Sequence, residues 1–224
     1  MKIKSTTLAV MAISALAAVS SQAATLIWNF TDDNATFDVG TPVDFTISPL
    51  SVGNSLGTVA DPVNSTSSSS GYTGSTGTGN IGNAYSTGSL STARGYIEFT
   101  VTPSAGFTFS LSDMDFGARS TSTGPQGYAL RSSADSYATD IFSVTVANNS
   151  VWTLKDNTFT AFESAVAGEA VTFRLFGYNG TGSPGNNTIN GRIDDISLTI
   201  TAVPEPSAAF LGGLGVLCLL RRRR

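Results

Sequence analysis

"RGYIEFTV", residues 94–101, decides the fold class. In an extended chain Ile97, Phe99 and Val101 lie on one side, and Tyr96, Glu98 and Thr100 on the other. That period of two marks a strand with one face in a core and one in water. The same reading extends outward in both directions. Leu26 to Phe30 and Val43 to Ile47 precede it, and Phe107, Phe109 and Leu111 follow. Met114 and Phe116 then continue in the opposite phase, which predicts a bulge near Ser112. Residues 127–132, 141–147 and 151–154 read as further strands. Residues 170–178 turn Val171, Phe173 and Leu175 inward, and 192–201 do so with Ile196, Leu198 and Ile200. About ten strands result, β-branched and aromatic, separated by Gly, Asn, Ser and Pro. One helix candidate stands inside the body, Phe159 to Ala167, ending at Gly168. No repeat of fixed period points to a solenoid or propeller. The predicted fold is all-β: an antiparallel, jelly-roll-like β-sandwich.

Asn64 to Thr92 is almost wholly Ser, Thr, Gly and Asn. Such a segment cannot offset its ordering entropy alone, so it reads as a long surface loop pinned at Tyr72, Ile81 and Tyr85. The material before it, Leu26 to Leu56, is too scant to fold separately, so residues 24–202 form one domain of 179 residues.

The N-terminus has the plan of a secretory signal peptide over residues 1–23: Lys2 and Lys4, an apolar run from Leu8 to Val19, then Ser21-Gln22-Ala23. Twelve apolar residues are too few to span roughly 30 Å of hydrocarbon. Cleavage by signal peptidase predicts a mature chain beginning at Ala24. That body carries 15 acidic against 6 basic side chains, a net of −9 where the whole chain is −4. A domain so acidic repels phosphate backbones, which excludes nucleic acid as a partner.

Several chemistries are excluded by composition. There is no histidine, and the one cysteine, Cys218, lies in the C-terminal apolar run. Ser-His-Asp and Cys-His catalysis and histidine-ligated zinc are therefore absent, as is an intrachain disulfide. No phosphate loop or dinucleotide-binding glycine pattern occurs. The remaining catalytic route is a carboxylate pair of the glycoside-hydrolase kind, with Asp32, Asp33, Glu98, Asp113, Asp115 and Asp194 as candidates; the expectation is a protein that is not an enzyme. Asp194 stands out because alternation puts it in phase with Ile196, Leu198 and Ile200, whereas Asp195 faces outward with Ser197 and Thr199. A buried carboxylate needs a partner. An arginine, Arg192 or Arg131, supplies it, or backbone amides do, or Ca²⁺ does with help from Asp32 or Asp33. No other cofactor is expected. For a glycan ligand the candidate contacts are Trp152, Tyr128 and Tyr178, with Tyr137, Asn179 and the loop from Asn186 to Asn190 nearby.

The C-terminus, "VPEPSAAFLGGLGVLCLLRRRR", residues 203–224, carries the most specific signal. Ala208 to Leu220 makes a helix of roughly 20 Å, short for a bilayer and weakened by Gly212, Gly213 and Gly215. Arg221, Arg222, Arg223 and Arg224 keep to the cytoplasmic side. Pro204-Glu205-Pro206, the apolar segment and the arginine block, in that order, resemble the PEP-CTERM sorting signal of Gram-negative bacteria. The resemblance implies transient insertion in the inner membrane and processing there by an exosortase. It further implies a surface or extracellular-matrix destination linked to exopolysaccharide or biofilm. "YALRSSADSY" (128–137) and "FRLFGYNGTGSPGNNTINGRIDDISL" (173–198) resemble jelly-roll-like domains common among such proteins. The expected function is that of an exported, non-enzymatic matrix or surface protein. The alternatives are a carbohydrate-binding module and a carboxylate-dependent glycan hydrolase.

Overall fold

The computed structural model describes residues 20–31, 34–53, 63, 67–77, 79–85, 87–90, 95–182 and 188–205. Alternating residues there form two six-stranded sheets whose described strand pairs are all antiparallel. The terminal sheet runs β1 (Gln22–Trp28), β12 (Gly191–Pro204), β6 (Phe107–Ser120), β10 (Thr158–Glu163); β4 (Ile81–Asn83) also pairs with β12, and β9 (Thr153–Lys155) with β6. The facing sheet runs β2 (Phe45–Ile47), β5 (Tyr96–Pro103), β11 (Val171–Tyr178), β7 (Gly127–Ser132), β8 (Phe142–Thr145), with β3 (Ser51–Gly53) also on β5. The product is the jelly-roll-like antiparallel sandwich that the alternation predicts.

Inner faces meet through aromatic rings. Phe99 stacks on Phe173 at 5.2 Å, Phe109 reaches Phe173 at 6.0 Å from the other sheet, and Phe116 meets Tyr128 edge-on at 6.0 Å. On β5, Ile97, Phe99 and Val101 are buried as expected. The predicted bulge is also there: Thr199 faces Asp113 and Ile200 faces Leu111, so Ser112 is the extra residue. It lets Leu111 and Met114 both point into the core.

Phe159 to Ala167 is not a helix. Residues 158–163 are β10, and its ladder with β6 shifts register between Thr158 and Phe162. Phe159 stacks on Phe142 at 5.1 Å and Phe162 meets Phe173 edge-on at 5.1 Å. The irregularity lets two aromatics three residues apart serve one core, a spacing that imitates a helix. Among the described residues the strands number twelve rather than about ten, the additions being short pieces such as β3 and β4.

The Ser/Thr/Gly-rich loop is anchored where its few large residues lie. Ile81 and Tyr85 are fully buried, and Asn190 holds the turn by accepting the Tyr85 N–H at 2.7 Å and donating to the Tyr85 carbonyl at 2.9 Å. At the N-terminus, Ala24 is the first buried residue of β1 and pairs with Ile200. Residues 1–19 of the expected signal peptide and the expected C-terminal helix lie outside the described residues. Among the described residues no helix is long and apolar enough to cross a membrane.

Candidate functional site

The ladder of β12 on β6 slips between Asp194 and Ser197, and Asp195 takes a left-handed φ of 49°. Asp194 pairs with Gly117, and Ile193, one residue earlier, is in the core. Asp194 therefore points to the outer side of the terminal sheet. It is buried as the sequence predicts, but against the loop of residues 67–77 rather than among Ile196, Leu198 and Ile200. The extra residue of the bulge shifts the phase between Asp194 and Ile196. Tyr72 of the loop lies over Gly117, where a Cβ would come within 2.0 Å of the phenol oxygen. Only a glycine permits that approach.

Asp195 gathers the loop. Its Oδ2 accepts a short hydrogen bond from the Tyr72 hydroxyl and another from Ser69 Oγ at 3.2 Å. Its Oδ1 accepts from Thr76 Oγ1 at 2.7 Å, and the Thr76 N–H reaches both oxygens at 3.3 Å. Asp194 Oδ1 accepts the Asp195 N–H at 2.8 Å, while its buried Oδ2 receives no donor of good geometry. Burial, with repulsion from Asp195, pushes the Asp194 carboxyl up to about 7; the Ser69 hydroxyl and the Asp195 N–H pull the other way. Burial and donation to Asp195 push the Tyr72 phenol upward, so it remains a donor.

For Asp194 a backbone amide, one of the expected alternatives, is the hydrogen-bond partner, with the Ser69 hydroxyl beside it. Arg131 belongs to the facing sheet and pairs with Asp140 at 2.5 Å. Arg192 lies across the ladder from Arg119, and burial, with repulsion from that neighbour, lowers its pKa. Asp32 and Asp33, the expected Ca²⁺ partners, lie outside the described residues. Among the described residues no group of three or more acidic or sulfur ligands converges on one point.

Beside the docked loop a cleft of about 380 Å³ opens on the outer face of the terminal sheet. Ile27, Val39 and Leu154 give it apolar surface, Tyr72 an aromatic wall, and Asn29, Asp115 and Asp195 polar groups. Asp115 accepts the Asn157 N–H at 2.8 Å and is held above the usual carboxylate range, chiefly by burial. Asp113 stands beside Asp115, adding repulsion to it and accepting from Thr158 at 3.0 Å, whereas Glu98 pairs with Arg174 at 2.9 Å on the facing sheet.

The aromatic candidates for glycan contact are not gathered in the cleft. Tyr128 is sealed in the core between Tyr85 and Phe116, and Trp152 is also buried, so neither offers a ring face to a ligand. Tyr178 is half-buried on the facing sheet, against Gly127. Tyr137 covers the Arg174 guanidinium at 4.3 Å, with Tyr96 at 4.1 Å on that cation too. Asn179 is exposed, and Asn190 is structural. Tyr72, expected as a pin of the loop, does pin it and also borders the cleft, whereas Thr76 and Asp195 are cleft residues that sequence reasoning missed. The available signal was "DD" inside a strand, one aspartate more than strict alternation accommodates.

The C-terminal signal joins this sheet directly. Pro204 is the last residue of β12, opposite Phe107, and the Glu205 N–H donates to the Gly106 carbonyl at 2.9 Å. Pro206 and Arg221 to Arg224 lie outside the described residues. Residues 202–224 match the PEP-CTERM protein-sorting motif. The motif implies export and membrane-associated sorting of the Gram-negative kind, with exosortase as the processing partner. No curated protein is significantly similar to the chain. Among solved structures, the K1 cleaved adhesin domain of Lys-gingipain from Porphyromonas gingivalis W83 is 13% identical, covering 78% of this chain and 96% of that one with a TM-score of 0.33. The K3 cleaved adhesin domain of the same protein gives 14%, 80%, 99% and 0.32. A CBM4 structure gives 18%, 56%, 72% and 0.31. At those scores the functional reading must come from the chain's own residues.

Proposed function

We propose that this is an exported surface or extracellular-matrix protein, delivered by exosortase, whose sandwich body is non-enzymatic. The sorting motif at 202–224 carries the reading. The body's net charge of −9 suits a soluble surface domain, and the absence of histidine removes the usual base near neutral pH. Of the two cleft carboxylates, Asp195 is committed to three loop side chains, which argues for a structural task over glycoside hydrolysis. Fractionation of cells with and without exosortase tests the proposal. The expected result is protein at the surface or in the medium with the enzyme, and tailed protein in the inner membrane without it. Identical distribution in both strains would refute it.

A second reading, polysaccharide binding, is favoured by the cleft, which sets an aromatic wall and apolar surface beside carboxylate and amide groups suited to sugar hydroxyls. Leu154 is 39% exposed there, so Leu154→Asp alters the cleft with little cost to the core. Loss of glycan-array signal in Leu154→Asp with unchanged unfolding supports this reading; an array blank for the parent protein removes it.

A further inference from the structure

We infer that the folded sandwich sets the limit of tail processing, so that cutting occurs only C-terminal to Glu205. This inference rests on the sorting reading above. The sorting motif begins at Ala202, yet Ala202, Val203 and Pro204 are still strand, opposite Phe109, Thr108 and Phe107 of β6. Ala202 is fully buried. The Val203 carbonyl accepts from Thr108 Oγ1 at 3.3 Å, and the Pro204–Glu205 peptide bond is held by its N–H on the Gly106 carbonyl. No spacer separates the body's central strand from its sorting signal.

A protease must take its substrate as an extended segment and aim donors at the scissile carbonyl oxygen. Through Glu205 the backbone is already committed to the sheet. Releasing it would peel β12 from β6 and uncover Ala202 and Ile200, both wholly buried. The sheet thus holds every bond through Pro204–Glu205, and the first bond after it in the chain is Glu205–Pro206. In the reaction that C–N bond, or a later one, breaks; the leaving nitrogen takes a proton, and the acyl carbon passes to water or to an acceptor amine.

The register adds a second consequence. Ala24, the expected first mature residue, is the cross-strand partner of Ile200, and Gln22 of Ala202. Paired Cα atoms lie only about 5 Å apart. Glu205 lies roughly 16 Å along the strand from Ile200, so both processed ends leave from the same end of the sandwich, and the body can fold while the tail is still held at the membrane. Folding before tail cleavage is what gives the sheet its say over the cut.

The test is C-terminal sequencing by tandem mass spectrometry of full-length precursor processed in cells with exosortase. A mature C-terminus at Glu205 or later supports the inference, and the mass of the terminal peptide distinguishes water from an amine as acceptor. A terminus at Pro204 or earlier overturns the inference while leaving the sorting reading intact, whereas retention of Arg224 overturns both. Purified precursor offers an independent check. Proteinase K should trim the native chain to Glu205 or beyond and stop, and pass Glu205 once urea unfolds the body; trimming through Val203 in native buffer would overturn the inference.

Discussion

The two sheets treat their outer faces differently. On the facing sheet Arg174 is placed between the rings of Tyr96 and Tyr137 and tied to Glu98, so opposite charges and aromatic faces satisfy one another. On the terminal sheet two successive aspartates, like charges, lie at a bulge: Asp195 is satisfied by hydroxyls and an amide from a loop, and Asp194 accepts the Asp195 N–H. The first arrangement is assembled from neighbouring strands and a nearby turn. The second recruits a segment over a hundred residues away in sequence, and its cost is a carboxyl held near neutral pKa. One face is therefore indifferent to the loop and to mild changes in pH, and the other depends on both.

The sharpest way to break the contrast is Asp195→Ala. It strips the acceptor from Tyr72, Ser69 and Thr76, and charge-assisted hydrogen bonds of this kind contribute roughly 1.5–3 kcal/mol each before water replaces them. The expected net loss is about 3 kcal/mol in urea unfolding, with new proteolytic cuts within residues 67–77. Gly117→Ala should do nearly as much by another route. Its Cβ displaces Tyr72, and crowding of this sort costs about 1–3 kcal/mol, again with loop cleavage and with an unchanged facing sheet.

The pH dependence comes next. Asp194 ionises near 3.8 when unfolded and near 7 when folded, so the folded state holds the extra proton between those values. Its contribution is fully present below about pH 4 and is lost as pH rises through about 7, roughly 4 kcal/mol at most before partial exposure is discounted. Asp194→Asn should flatten that part of the stability profile. Arg174→Ala, on the other face, should cost about 1–2 kcal/mol through lost ring contacts and a partly screened ion pair, with the loop's protease resistance untouched. Asp140→Asn, which breaks the more exposed pair to Arg131, should cost under about 1 kcal/mol.

Features set by local periodicity were legible. The faces of β5 and the extra residue at Ser112 follow from counting in twos along the chain. Features set by partners distant in sequence were not. Asp194 is covered from the side opposite to the one its phase with Ile196 suggests, because the bulge falls between them. Phe159 and Phe162 imitate a helix because a register shift lets both face the core. Tyr128 and Trp152, picked as sugar platforms for their residue type, are interior rings, and Tyr72, the aromatic that does border the cleft, sits in a segment with little patterning of its own.

The most direct measurement is the intact mass of the exported protein from strains with and without exosortase. A chain that begins at Ala24, retains Glu205 and lacks Arg221 to Arg224 only when the enzyme is present is the predicted result. An exported chain that still carries the four arginines in the presence of exosortase would contradict it.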